Sequence, residues 1–410
     1  MATQQRPVTR IGLITGALLL AMAVARPAAA DSVHYASPDG TGALCTQTDP
    51  CAVQTAIATA AADDFVYLMA NKGIYNLTGD LSNLPNTPIR LRSFAGRAQL
   101  WFTNGHLAIT GGQVDGISVH GDASAAAFQL TDAIGSRMIV QAGSGQAACQ
   151  LNGATLADSV CLATANSGTA AATTFGDNVL RNDTLVGGTA AALAVTGSQS
   201  GCGCSTATEH LVNVIARSAQ GGKDINVDSD GQVKATVKVR YSNFATTGLT
   251  GAGAPSMTVI DKDSTDQTEA PVFDTAIPGD THEAASSPTI DAGKDSPDNG
   301  IYDIDANART MGTRTDIGAD EFVAPPDTTI TGATINHVKR KATLTFASVG
   351  PATGFQCQLT ARPSGKAPAY TACTSPKTYR HLARGKWRFR VRAVGTGGTD
   401  TTPAVKRFRI

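Results

Sequence analysis

Apolar and polar residues alternate along the middle of the chain in short runs, and the runs recur at a fixed step. Leu107-Ala-Ile-Thr, Phe128-Gln-Leu-Thr and Cys149-Gln-Leu-Asn begin 21 residues apart, and Ile117-Ser-Val, Met138-Ile-Val and Ser159-Val-Cys keep the same step. Alternation with period two sends one side of each run inward, as a strand requires. Gly, Asn and Asp fall at the bends between runs. A unit this short cannot bury its inner face alone, so successive units must stack, which predicts the rungs of a parallel β-helix. The strict step fades after Cys161, but strand-like runs continue at 178–186, 191–196, 210–215 and 237–244. Roughly eight to nine rungs fit between Asp64 and Ser256 at that period. Upstream, FVYLMA from Phe65, GIYNL and PIRLRSF extend the rhythm. An Ala-rich stretch from Ala52 to about Ala62 reads instead as a helix, with Val53 and Ile57 on one face suited to a lid over the open end of the core.

Beyond Pro325-Pro326, a stiff spacer, the pattern changes to longer alternating strands separated by Gly and Pro turns: ATLTFASV, FQCQLT, YTAC, KTYRHL, KWRFRVRAV and AVKRFRI. This predicts a separate small β-sandwich. In KWRFRVRAV, Trp387, Phe389 and Val391 point one way, and Lys386, Arg388, Arg390 and Arg392 point the other. The expected organisation is therefore a leader at 1–30, a β-helix with its N-terminal capping helix at 31–270, a closing segment at 271–322, a linker at 323–328 and a sandwich at 329–410. The fold class is all-β.

Composition adds compartment and charge. Met1 to Ala30 has a basic start with Arg6 and Arg10, an apolar run from Ile11 to Val24, and Ala28-Ala29-Ala30 as a small-residue cleavage site, the three parts of a secretory signal. The apolar run falls short of the ~20 residues that span a bilayer, so no transmembrane segment is expected after cleavage. Export makes disulfides the default reading of the eight Cys. Cys45 with Cys51, and Cys357 with Cys373, each fall within one local module. Cys149 and Cys161 occupy inward positions on different faces of one rung, where a bridge across the core and an unbridged buried pair both fit. Cys202 and Cys204 are separated by one residue, which strains a bridge. The net charge of zero conceals a split: residues 31–326 hold 15 Lys and Arg against 31 Asp and Glu, net −16, while residues 327–410 hold 15 against 2, net +13.

The YASPDGTG and CTQTDPC opening, and the runs DTLVGG, HLVNVIAR and VRYSNF, resemble secreted bacterial right-handed parallel β-helix proteins of the pectin-lyase-like superfamily. Ser286 to Phe322 is similar to the motif that closes the choice-of-anchor type Q domain, through Ser287 to Gly293, Asp303 to Arg309 and Asp316 to Glu321. The last module resembles immunoglobulin-like and fibronectin type III modules in Phe355 to Cys357, Cys373 to Pro376 and Leu382 to Ala393.

The densest polar constellation in the rungs is KDINVDSDG, Lys223 to Gly231. Asn226, Asp228 and Asp230 stand at alternate positions, as in the first half of a calcium loop, but Val237 occupies the place of the closing Glu. A solvated turn is the reading beside it. The resemblance implies an acid-plus-base set for a pectate-lyase-like reaction from Asp224, Asp228, Asp230, Lys238 and Arg240. Asp303 and Asp305, with Asn307, could suggest a metal, but inside the closing motif and next to Arg309 and Arg314 they read better as turn acids paired to those guanidinium groups. The seven His are scattered, and His120 and His210 read as structural strand residues. No HExxH, G-x-S-x-G, phosphate loop or dinucleotide fingerprint occurs. The expected function is a non-catalytic, secreted or envelope-associated protein that docks on anionic polysaccharide or cell-wall polymer through Lys386, Arg388, Arg390 and Arg392. A polysaccharide lyase or glycoside hydrolase acting on an acidic polysaccharide is the alternative. No cofactor is expected unless the Asn226, Asp228 and Asp230 run holds calcium, and no nucleic-acid partner is expected.

Overall fold

The computed structural model describes residues 31–83, 87–121, 125–143, 146–164, 168–202, 206–219, 221–274, 279–362 and 368–410. Stacked rungs form a parallel β-solenoid with sheets of ten, eight and seven strands. The first sheet runs from Val33–Ala36 to Thr258–Asp261, the second from Leu81–Ser82 to Thr247–Gly251, and the third from Tyr75–Thr78 to Ile215–Ser218. One turn visits all three: Leu107–Thr110 in the second, Gln113–Asp115 in the first, Ile117–Gly121 in the third. Phe128 then pairs with both Leu107 and Cys149, and Ile139 with both Ser118 and Val160, so the 21-residue step is one turn of the solenoid. Leu107, Ile109, Phe128, Leu130, Cys149 and Leu151 stack inward, each at most 1 % exposed, within one core cluster reaching from Ala36 to Phe244.

The turn from first to third sheet explains which polar residues the rungs carry. Gly116, Arg137, Asp158, Asn182, Asn213 and Tyr241 occupy this corner in successive turns, all with φ between 51° and 73°. Asn and Asp tolerate that left-handed conformation better than most residues. Their side chains also join the turns: the Asn182 amide donates to Asp158 Oδ1 at 2.9 Å and Asn213 donates to Asn182 Oδ1 at 3.0 Å.

The helix spans Val53–Thr59 and buries Val53, Ala56 and Ile57. It stops short of Ala62 because the chain turns extended at Ala60, with ψ of 136°, and left-handed at Asp63. Cys45 bridges Cys51, and Cys357 bridges Cys373. Cys149 and Cys161 are bridged as well, fully buried, tying the second sheet to the third inside the core. Cys204 and the Cys202 side chain lie outside the described residues.

Residues of the segment expected to close the core run along the flank of the solenoid, over the corner ladder. Asn213 accepts from Lys294 N at 2.7 Å and donates to Lys294 O at 3.0 Å, while Ala319 N donates to the Thr184 hydroxyl at 3.0 Å. Ile304 and Ala319 pack on Val160, Ile139 and Leu162 of the third sheet. The expected pairing of Asp303 and Asp305 with Arg309 and Arg314 is corrected. Asp303 is a turn acid that accepts the Asp305, Asn307 and Glu321 amides at 3.0, 2.7 and 3.2 Å. Arg309 is buried and reaches Asp158 at 3.4 Å and Glu321 at 3.1 Å, with further bonds to the Ala319, Asp316 and Gly318 carbonyls. Arg314 donates to Gly293 O and lies over the Tyr241 ring. Cations are needed there by buried carbonyls and corner acids, which sequence spacing does not display.

The C-terminal module is a small β-sandwich of two antiparallel sheets. One joins Asp327–Asn336, Lys341–Val349 and Lys377–Tyr379; the other joins Thr371–Cys373, Gly354–Arg362, Lys386–Gly395, Gly398–Thr399 and Ala404–Arg409. Ala342, Leu344, Phe346, Phe389 and Val391 fill its core. Its first strand begins at Asp327, inside the expected linker, with the Thr328 hydroxyl accepting Ala393 N at 2.7 Å.

Candidate functional site

Lys386–Gly395 is the central strand of the larger sandwich sheet, hydrogen-bonded to Gly354–Arg362 on one side and Ala404–Arg409 on the other. Its alternation sends Phe389 and Val391, both 0 % exposed, into the core and leaves Arg388, Arg390 and Arg392 on the outer face. Register then brings more cations to them. Arg388 pairs with Thr360 and Arg407, and Lys386 with Arg362 and Arg409. Arg390 donates to Gln358 Oε1 at 3.2 Å and Arg392 to Gln356 Oε1 at 2.9 Å, so neutral amides hold these guanidiniums upright. Arg392 also lies over the Tyr370 ring at 4.2 Å.

The electrostatics are those of a repelling cluster. Desolvation, then the neighbouring Arg390, Arg362 and Arg407 guanidiniums, pull Arg388 below its ordinary value. The module has two acids, Asp327 and Asp400. Asp400 is buried and accepts Thr402 N at 2.7 Å. Among the described residues no salt bridge involves residues 327–410, either within the sandwich or to the acidic solenoid. At one end of the face a cavity of about 540 Å³ is lined by Arg362, Lys386, Trp387, Arg407, Phe408 and Arg409. This arrangement can hold an anion by charge and by planar, paired hydrogen bonds from guanidinium groups.

The rung residues singled out in the sequence are not brought together. Asn226 and Asp228 face outward from the second sheet, where they meet Thr250 at 3.1 and 2.8 Å. Lys238 and Arg240 face outward from the first sheet, and Arg240 pairs with Asp261 at 3.2 Å and Asp263 at 3.1 Å. Asp224 is buried and accepts the Ser218, Ala245 and Thr246 amides at 2.8, 2.6 and 2.9 Å. Asp230 caps a corner through the Gln199, Gln232 and Val233 amides. The half-loop of Asn226, Asp228 and Asp230 is thus strand and corner, and the five-residue acid-and-base set is spread over two faces and a buried corner. Lys223 and Asn226 do share a groove of about 620 Å³ with Gln150 and Thr173 on the outside of the second sheet. His120 lies against Trp101 with ring centroids 5.0 Å apart and the rings tilted at 44°, and burial pulls it below its ordinary value.

The sequence reading missed His282. Its Nε2 lies 2.6 Å from Asp305 Oδ2, its Nδ1 is hydrogen-bonded to Asp280, and Asp320 completes the cluster. Hydrogen bonding to Asp305, resisted by burial and reinforced by Asp280, pushes the imidazole up to about 10. DTHE at 280–283 gave only a weak local signal, because its partners lie more than 20 residues away.

No protein-family model matches the chain, and no curated protein matches it. Among solved structures the chain is similar to pectate lyase Pel9A, with a TM-score of 0.43 and 12 % identity over 71 % of this chain and 96 % of that one. At that level the similarity carries no argument about chemistry.

Proposed function

We propose that this is a secreted or envelope-associated, non-catalytic protein whose C-terminal module, of immunoglobulin or fibronectin III type, docks on an acidic polysaccharide. The observation that carries the reading is the outer face of Arg388, Arg390 and Arg392, flanked by Arg362, Arg407 and Arg409, without a carboxylate partner among the described residues. Guanidiniums two residues apart on a strand stand about 7 Å apart. A polymer with regularly spaced carboxylates engages several at once. The three disulfides among the described residues suit an oxidising compartment. The acids and bases of the alternative lyase reading stand on separate faces, which favours binding over turnover.

The test is retention of the full exported chain on a polyuronate matrix, a neutral glucan matrix and a DNA matrix. The parent is expected to be held by polyuronate and to pass through the glucan, and the Arg388→Ser, Arg390→Ser, Arg392→Ser variant to elute from polyuronate at lower salt. Equal retention of parent and variant, or stronger retention on DNA than on polyuronate, rejects the proposal.

A further inference from the structure

The flank segment gathers three ligand-bearing side chains from well-separated stretches of chain. One donor atom each from His282, Asp305 and Asp320 lies within 4.8 Å of the others. Asp320 is largely buried, its Oδ2 accepting Glu283 N at 3.1 Å, and with the more exposed His282 and Asp305 it lines a cavity of about 500 Å³. Asp280 holds the other imidazole nitrogen. That is the geometry in which a carboxylate fixes a histidine's tautomer so that Nε2 can coordinate. Independently, Glu283 lines the same cavity at 5 % exposure, and apart from a loose approach to the Thr289 hydroxyl neither carboxylate oxygen completes a hydrogen bond. A buried carboxyl group without a partner calls for a proton or a cation.

We infer that His282, Asp305 and Asp320 bind one divalent transition ion of the Zn²⁺ or Mn²⁺ class, with Asp280 positioning the histidine. Imidazole with carboxylates suits these ions better than Ca²⁺, which takes six to eight oxygens. Tetrahedral Zn²⁺ sets ligand atoms about 3.3 Å apart, so the His282 to Asp305 contact opens slightly on binding. The imidazolium releases its Nε2 proton to solvent, and its Nδ1 proton stays on the Asp280 side. The ion staples 280–283 to 303–305 and 320, holding the segment over the third sheet.

The test uses the tag-free full chain, stripped with chelator and titrated with ZnCl₂, MnCl₂ or CaCl₂ while bound metal and melting temperature are both measured. Binding of one Zn²⁺ or Mn²⁺ per chain, with a higher melting temperature, is expected. Asp280→Asn should weaken binding roughly 10- to 100-fold, as loss of a ligand's supporting carboxylate does. His282→Gln and Asp305→Asn, at side chains about two-fifths exposed, are expected to fold and to lose the ion. No stoichiometric uptake by the parent, equal uptake by His282→Gln, or a preference for Ca²⁺ overturns the assignment; the first two outcomes leave His282 as an ion-pair latch between Asp280 and Asp305.

Discussion

Glu209 is an acid inside the solenoid. It is 0 % exposed, and its Oε1 accepts the Asn178 amide at 3.0 Å. The Thr174 hydroxyl beside it can bond to either form of the acid, so burial decides the protonation state. Burial pushes the carboxyl up to about 8, against the pull of Asn178 and Thr174. The folded chain therefore binds a proton at pH 6 to 7 that the unfolded chain has released. Stability linked to this group is full below about pH 4.5 and is lost as pH rises toward 8. The Glu209→Gln variant removes that dependence. Its melting temperature should exceed the parent's at pH 8 by an amount corresponding to roughly 2 to 4 kcal/mol, and the gap should close near pH 4.5. A gap that does not change with pH contradicts the neutral acid. The inward placement was legible, since TATEHLV alternates Ala207, Glu209 and Leu211. Its partners were not, because Asn178 and Thr174 come from the preceding turn, 31 and 35 residues away.

At the scale of elements, periodicity carried the rungs and failed beside them. Leu107, Phe128 and Cys149 align in the solenoid as the step required, because identical turns repeat identical contacts. The helix was read too long, since Ala60 to Ala62 have helical propensity but the chain must turn at Asp63 to enter the next strand. The flank segment has no period at all: its order comes from contacts of Arg309 with Asp158, of Asn213 with Lys294 and of Ala319 with Thr184, which span large sequence distances. Inside the rungs, the Cys149–Cys161 bridge crosses from one sheet to another within a single turn, with Cα atoms 6.0 Å apart. Replacing both with Ala should lower the unfolding free energy by about 2 to 3 kcal/mol, the loop-closure effect for a loop of this size. Denaturant midpoints for parent and double variant under oxidising conditions measure it. An unchanged midpoint means that packing alone holds that turn.

For the whole molecule, the charge split was legible from composition, and the structure adds its disposition. The acids of the solenoid are largely consumed in corners, in amide caps and in pairs such as Asp115 with Arg137. Seven of the sandwich's cations, Arg362, Lys386, Arg388, Arg390, Arg392, Arg407 and Arg409, share one face of the larger sheet, with no salt bridge to any of them among the described residues. That face is the centre of the account, and its salt dependence is the direct measure. Exposed charges are screened beyond ~8 to 10 Å at physiological ionic strength, so docking through several guanidiniums must weaken as salt rises. The decisive measurement is the affinity of the full chain for a soluble polyuronate by calorimetry from low to high NaCl, alongside the Arg388→Ser, Arg390→Ser, Arg392→Ser variant. Parent affinity is expected to fall steeply and linearly on a log–log plot, and the variant to bind more weakly with a shallower slope. An affinity indifferent to salt, or the same slope in parent and variant, contradicts docking through that face.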